Sequence, residues 1–363
     1  MAKSQPTNQV RHHRQQRGWS QAELAELAGI SRTAVSAIEM GRLVPSVAAA
    51  LRLAAAFGCT VEDLFSPRPV EADETAWAWP PQASPTQFPQ ATPTRFWLAE
   101  VGGRVWRYPV EATAAGLLPH DGVVDGEVIR QHSDEHPSKT LVVACCDPAA
   151  GLLAREYSRR SGYRLIVLTR SSSAAMSLLQ QGRVHAAGLH FATPAEPQEN
   201  TRTVRKMLGI GFDLLRGARW QSGLCFRPAR PILRIENLAR QGLRWVGRED
   251  GSAARRCLEE LFDGRLPTRR VARDHRGVAL AVRDGWADAG VCHRLVSDEF
   301  GLSFLGVRWE FFDWCIPAAW RDDPRIVALI DTVRSSNYRQ LLSDLPGYDV
   351  RETGDIQAIH AGS

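Results

Sequence analysis

Residues 20–42, SQAELAELAGISRTAVSAIEMGR, constrain this chain more than any other stretch. Ser20 followed three residues later by Glu23 is a capping box, so a helix starts there. Leu24, Ala25 and Leu27 are expected to form its apolar face. Gly29 marks its end, where a positive φ is needed. Ile30 then drops toward the core. Ser31 opens a second helix on which Val35 and Ile38 point inward at i, i+3 spacing. Arg32, Thr33, Ser36 and Ala37 are left outside, on the half of the helix where a recognition helix carries its base-reading side chains. A plain helical hairpin within a larger domain would show the same spacing, so the flanks have to decide.

The flanks supply three more helices. Residues 10–17 predict a basic helix. Residues 45–57 predict an amphipathic one with Leu51, Ala54 and Phe57 inward. Thr60 with Asp63 starts another, whose Val61, Leu64 and Phe65 close the core. Across residues 9–66 the chain closely resembles the Cro/C1-type (XRE) helix-turn-helix family. Gln21, Leu24, Ala25, Gly29, Ile30, Ser31, Val35, Ile38, Glu39, Gly41, Arg42 and Pro45 carry the match. The resemblance implies that Gln21 and Arg42 hold DNA phosphates while Ser31, Arg32, Thr33, Ser36 and Ala37 lie at the operator.

A chain of 363 residues exceeds one such domain and predicts two or three units. Charge is uneven: net +3 over residues 1–70, −6 over 71–137 and +8 over 138–363. A positive N-terminal unit suits phosphate neutralisation. The positive C-terminal unit suits an anionic ligand, or is an arginine-rich solvated surface. No apolar leader follows the polar N-terminus, and no run approaches the ~20 apolar residues of a membrane helix. A cytoplasmic location without membrane association is therefore expected. Seven scattered cysteines argue against a disulfide framework.

The expected domains are 1–66, a proline-rich linker at 67–95, a β-hairpin with a loop-like connection at 96–137, a two-lobed domain at 138–355 and a tail at 356–363. Trp77 and Trp79 in the linker are unusual and could dock on a neighbouring surface. From Lys139 onward strands alternate with helices: strands at 140–144, 164–169, 186–191, 223–226, 243–247, 270–272 and 287–292. Helices are expected at 149–160, 173–181, 203–209, 235–240, 252–262, 276–283 and 324–345. A strand-rich stretch covers 302–316. Repeated β-α-β units imply parallel sheets with helices on both faces. The order resembles the type II periplasmic-binding-protein fold, and residues 139–355 resemble the molybdate-binding-protein-like domain fused to bacterial helix-turn-helix regulators. AAGLHF at 186–191, RWQSGLCF at 219–226, ENLARQGLRWVGREDGSAARRCLEELF at 236–262, DHRGVALAVRDGWADAGV at 274–291 and LPGYDV at 345–350 carry this match. The fold class is thus multidomain: an all-α helix-turn-helix domain plus an α/β two-lobed domain. The resemblance implies two crossings between lobes and a ligand in the cleft between them.

Ligands of open α/β sheets sit beyond the carboxyl ends of strands. Two loops there combine hydroxyls, backbone N–H groups and a helix start, the makings of an anion site. One contains Ser171, Ser172 and Ser173 after Arg170. The other, GREDGS at 247–252, contains Gly251 and Ser252 after Arg248. Either alone could be an ordinary helix cap. Cys146, Asp147, His190 and His275 are further cleft candidates, and Cys292-His293 end another strand. No C-x-x-C or H-x-x-x-H spacing supports a metal, and neither metal nor cofactor is expected. Trp220, Trp309 and Trp314 fall near the expected crossovers. No G-x-S-x-G elbow or phosphate-binding loop suggests catalysis. The sequence therefore reads as a ligand-responsive one-component regulator. Its expected partners are double-stranded operator DNA and a small anion, and resemblance points to molybdate or tungstate. A homodimer is expected, because operators mirror a protein two-fold. The alternative is an enzyme or cofactor-handling protein that uses the same cleft.

Overall fold

The computed structural model describes residues 8, 10–65, 75–81, 93–111, 118–126, 128–133, 136–228, 242–265 and 267–359. The chain divides into two compact units. The helix expected at 235–240 and most of the 67–95 linker lie outside the described residues.

The first unit contains α1 (Val10–Gln16), α2 (Gln21–Ala28), α3 (Arg32–Glu39), α4 (Val47–Phe57) and α5 (Val61–Phe65). Both halves of the Ser20–Glu23 capping box form, and Gly29 closes α2 at φ 62°. Ser31 caps α3 through Ala34 N–H, and Ser46 caps α4 through Ala49 N–H. Val10, Leu24, Ala25, Ala28, Val35, Ile38, Leu53, Ala54, Phe57 and Leu64 form the core. Two expectations fail. Leu27 and Leu51 are exposed, and Ala28 and Leu53 take the inward positions. In both helices the apolar residues run wider than one face, so periodicity alone does not choose between neighbours.

In the second unit, β1 (Ala76–Trp77) pairs in parallel with β3 (Arg104–Pro109), which pairs antiparallel with β2 (Thr94–Val101). Part of the expected linker is thus sheet. Trp77 packs edge-on against Phe96 and Trp79 against Tyr108. Two short strands, β4 (Gly122–Asp125) and β5 (Val128–Gln131), whose residues 123–131 count with the first unit, occur where only loop was expected. The first lobe follows as β6 (Thr140–Cys145), α6 (Ala150–Ser161), β7 (Arg164–Thr169), α7 (Ser172–Gln180), β8 (Ala186–Ala192) and α8 (Glu199–Leu208).

The chain then crosses on β9 (Phe212–Phe226), a strand of 15 residues. The second lobe contains β10 (Trp245–Arg248), α9 (Ala253–Glu260), β11 (Val271–Ala272), α10 (His275–Arg283), β12 (Ala289–His293) and α11 (Arg294–Glu299). It returns on β13 (Ser303–Pro317), also 15 residues long. Helices α12 (Pro324–Arg334) and α13 (Ser336–Ser343) pack back on the first lobe, breaking the expected single helix at Ser335, whose ψ is 141°.

The sheet order is β11-β10-β12-β9-β13-β8-β6-β7, with β14 (Tyr348–Asp349) and β15 (Ile356–Ile359) added to β9. The start of the expected tail is therefore a strand. β6, β7 and β8 are parallel, as are β10, β11 and β12, while β9 and β13 run antiparallel to each other through both lobes. A register shift between Gly306 and Arg308 interrupts that pair where one lobe gives way to the other. Each lobe has apolar clusters on both faces of its sheet. This is the two-lobed α/β architecture that the sequence implied.

Candidate functional site

The first candidate surface is α3 in the N-terminal unit. Ser31, Arg32 and Thr33 are exposed at its start, Ser36 and Ala37 are half-buried, and Arg42 is exposed beyond its end. Arg14 and Gln21 both bond to Glu39, at 2.6 and 2.9 Å, and Arg14 also donates to Trp19 O. Burial would raise the Glu39 carboxyl, but these partners hold it below its ordinary range. This network ties α1 and α2 to α3 and fixes the orientation of the exposed face. One amide hydrogen of Gln21 is committed to it.

The second candidate site lies where the two lobes of the second unit meet. Strand ends deliver nearly every member, because a parallel strand stops where its helix turns back and leaves backbone and side chains converging. β6 leads into Cys146 and Asp147, and β7 into Ser171–Ser173. β8 carries His190, β10 ends at Arg248, α10 begins at His275 and β12 ends at His293. The crossing strands contribute Trp220 and Ser222 on β9 and Arg308 and Glu310 on β13.

The two serine loops come together. Ser173 N–H points to Gly251 O at 3.4 Å. Gly251 has φ +75°, and a Cβ placed there would lie 2.7 Å from Ser173 Cβ and Oγ. Only glycine permits that approach. The expected hydroxyl ligands behave differently from one another. Ser171 and Ser172 are buried, the Ser171 side chain caps nothing, and Ser172 Oγ has no partner. Ser252 Oγ instead caps α9 and donates to Glu249 O, so its hydroxyl is already spent. Asp147 uses one oxygen locally, Oδ1 accepting from Ala149 N–H at 2.9 Å and from the Tyr348 hydroxyl at 2.6 Å. Arg170 bonds to Glu111 and lies over Trp79.

At the crossing, a chain of polar groups runs through the interior. Cys146 Sγ is 3.1 Å from His190 Nε2, and His190 Nδ1 is 2.7 Å from Glu310 Oε2. Glu310 also accepts from Trp220 Nε1, Ser222 Oγ and Arg308 Nε, and is fully buried. Burial works against charge on both partners, yet pairing wins. Cys146 and Glu310 lift His190 to about 10. His190 and Arg308 hold the Glu310 carboxyl well below the usual carboxylate range. Burial dominates at the other two histidines. It drives His275 well down, aided by Arg248, and His293 down to about 3.

What remains is a set of buried polar atoms with no partner among the described residues: Ser172 Oγ, Arg248 Nε and Nη2, both nitrogens of His275, and His293 Nε2. Arg248 is only 2% exposed. Each such orphan costs about 1–3 kcal/mol, and more when charged. A buried guanidinium with free donors is half of an anion site. Sequence reasoning saw Arg248 only as a flank of its loop and did not see Glu310 or Arg308. Arg248 could have been singled out as the terminal residue of its strand. Glu310 gives no such signal, since its partner His190 is remote in the chain.

Ion pairs also bridge the lobes at the rim. Arg256 on α9 reaches Glu196 and Glu199, and Glu111 is shared by Arg170 and Arg273. Beside the latter lies a pocket of about 540 Å³ that includes Trp79, Glu249 and Arg273.

Comparison with known proteins agrees with this anatomy. A helix-turn-helix family model matches residues 10–64, and a PBP superfamily domain model matches residues 154–334. The HTH-type transcriptional regulator YgzD of Bacillus subtilis is 43% identical over 58 residues, 16% of this chain and 88% of the relative. An HTH-type regulator of Methanothermobacter thermautotrophicus is 44% identical over 57 residues, 15% and 83% of the two chains. YvgK of Bacillus subtilis, described as an uncharacterized protein, is 28% identical over 188 residues. That match takes in 49% of this chain, which spans 60% of the relative's length. Among solved structures, a phosphate transport receptor from Vibrio cholerae aligns with TM-score 0.42 and 16% identity, covering 58% of this chain and 98% of its own. A tungstate ABC transporter from Geobacter sulfurreducens aligns with TM-score 0.44 and 13% identity, covering 56% and 98%. The chain belongs to the HTH-type transcriptional regulators, with an XRE-type helix-turn-helix domain at its N-terminus followed by a two-lobed PBP-like domain.

Proposed function

We propose that this protein is a one-component transcriptional regulator whose operator affinity is set by a small anion held between the lobes of its PBP-like domain. One observation carries the reading. Arg248 is buried at the meeting of the lobes, and its Nε and Nη2 have no partner among the described residues, nor have Ser172 Oγ, both His275 nitrogens and His293 Nε2. An anion supplies the missing acceptors and the missing charge. Backbone N–H groups at Ser171, Ser172 and Gly251 complete the cradle, with Cys146 and His190 at its other end. Tetrahedral oxyanions, molybdate and tungstate first, are the members of this class to test. The resemblance of residues 139–355 to molybdate-binding domains favours them. Ligand binding stabilises the closed arrangement of the lobes, and this two-state closure is the element through which DNA affinity is coupled.

On DNA, Arg32, Thr33, Ser36 and Ala37 face bases, while Ser31, Gln21 and Arg42 hold the backbone. The protein acts as a cytoplasmic homodimer without catalytic activity. Leu43, Val44, Val47 and Leu51 are exposed along the α3–α4 connection and α4, and a second copy would cover them. The deciding experiment is calorimetric titration of the full-length protein with molybdate, tungstate, sulfate and phosphate, repeated on Arg248→Met. Saturable binding that the variant loses supports the reading, and no binding by any anion opposes it. A second reading is favoured by the Cys146–His190–Glu310 relay, which has the order of nucleophile, base and orienting carboxylate. Turnover of a bound ligand that Cys146→Ser abolishes would establish that reading instead.

A further inference from the structure

Three side chains far apart in the sequence meet where the lobes close. Cys146, His190 and His275 are all buried, and each brings one donor atom to within 4.8 Å of the other two. Cys146 Sγ and His190 Nε2 stand 3.1 Å apart, the spacing of a shared proton. Glu310 holds His190 from behind through Nδ1, at 2.7 Å. A carboxylate in that position fixes the ring and leaves Nε2 as the donor, which is the arrangement found behind metal-bound histidines. His275 is 2% exposed, and neither of its ring nitrogens has a partner among the described residues.

We propose that Cys146, His190 and His275 hold a single cation of the Zn2+ class, with a fourth position open to the anionic ligand of the cleft. The donor set selects the ion. A thiolate with two imidazoles suits zinc and its soft or borderline neighbours, whereas magnesium and calcium need oxygen ligands. Neither nearby carboxylate belongs to the cluster of donor atoms. Asp147 serves Ala149 and Tyr348, while Glu310 serves His190, Trp220, Ser222 and Arg308. The geometry is close to what zinc needs. Bonds of about 2.0–2.3 Å in a tetrahedron put donors about 3.3–3.7 Å apart. Cys146 and His190, at 3.1 Å, have to part by a few tenths of an ångström, and His275, within 4.8 Å of both and without a hydrogen bond among the described residues, has to close by about an ångström.

Charge balance explains the open position. The cation displaces the proton shared by Cys146 and His190, so binding releases a proton to solvent. The thiolate cancels one of its two charges, and Arg308 offsets Glu310. The remaining positive charge adds to that of Arg248, and an anion neutralises both. Only this fourth position rests on the regulator reading; the three protein ligands stand without it.

The test uses the reduced, chelator-treated full-length protein and Co2+ as a spectroscopic substitute for Zn2+. The expected result is one Co2+ per chain, with thiolate-to-cobalt charge-transfer absorption and intense tetrahedral bands, both displaced by Zn2+. Cys146→Ser removes the charge-transfer band. His275→Gln keeps it but weakens binding at least about tenfold, and Glu310→Gln weakens it about 10–100-fold. Cys59→Ser, in the N-terminal unit, changes nothing. Absence of the band in folded protein, or its persistence in Cys146→Ser, overturns the proposal. Failed cobalt binding with retained anion binding overturns the cation site and leaves the regulator reading standing. Cobalt binding without any anion response supports the cation site and counts against that reading.

Discussion

Replacing Arg248 by methionine should make the ligand-free protein more stable and the ligand-treated protein unresponsive. In most buried sites removing an arginine is damaging, because it leaves a carboxylate behind. Here Nε and Nη2 have no partner to abandon, and the side chain is 2% exposed. Methionine keeps the unbranched stem and removes the donors. Each orphaned donor costs about 1–3 kcal/mol, and a charged one sits at or above the top of that range. Shorter packing offsets part of the gain. The net expectation is about 1–3 kcal/mol of added stability, an upward Tm shift of about 3–10 °C in a domain of this size. The assay is thermal unfolding of full-length wild type and variant, alone and with molybdate, tungstate, sulfate or phosphate. Wild type should rise with the anion that binds, by about 2.7 kcal/mol at a hundredfold excess over Kd. The variant should start higher and not move. A variant that loses about 3 kcal/mol or more without ligand would show that Arg248 is held by protein partners, and the argument from its orphaned donors would fail.

Arg32→Ala should cost about 1–3 kcal/mol and relax preference at one base pair, whereas Arg42→Ala should weaken all duplexes alike and reduce the salt slope by about one; unchanged sequence preference in Arg32→Ala/Thr33→Ala, measured by selection from random duplexes, would remove α3 as the reading helix. Gly251→Val places a Cβ on Ser173 at a positive φ, so it should block closure, abolish anion binding in calorimetry and leave far-ultraviolet circular dichroism intact; wild-type affinity would exclude contact of the two loops in the bound state. His190 has a folded pKa raised to about 10 from 6.5, so its contribution is complete below about pH 6.5 and lost as pH rises toward 10. Stability measured against pH should therefore fall on that alkaline side in wild type and be flatter there in His190→Gln; identical profiles would refute the ion pair with Glu310. Arg256→Ala removes a rim bridge to Glu196 and Glu199 and should weaken anion binding by no more than about fivefold, since exposed pairs contribute about 0–1 kcal/mol.

The sequence displayed what is encoded locally. Ser20 with Glu23, Gly29 and Ser31 are caps, and caps act within three or four residues, so the helix pair could be read directly. The strands of each lobe were legible as apolar runs such as TLVVA and RLIVLT. The crossing strands were legible in part: β13 as the strand-rich stretch 302–316 and β9 only at its end, 223–226. β9 carries Asp213, Arg216 and Arg219 within its length, and β13 carries Arg308, Glu310 and Asp313, which break any strand pattern. Those charges are tolerated because they pair across the sheet: Arg216 with Asp313, and Glu310 with His190 of β8. Such pairing exists only after the fold brings distant segments together. The same limit applies to the cleft. The serine loops could be placed from strand-end logic, but which hydroxyls would already be spent on caps could not. The meeting of Cys146, His190, His275 and Glu310 depends on lobe closure, for which spacing in the chain carries no signal.

The central claim is that one molecule couples the cleft to DNA. The most direct measurement is the affinity of full-length protein for a duplex selected from a random pool, with and without the anion that binds, in wild type and Arg248→Met. The account predicts a shift of about 5–150-fold in wild type. It predicts no shift in Arg248→Met, whose affinity should match that of anion-free wild type. An anion that saturates the cleft yet leaves wild-type DNA affinity unchanged, or a full response in Arg248→Met, would contradict it.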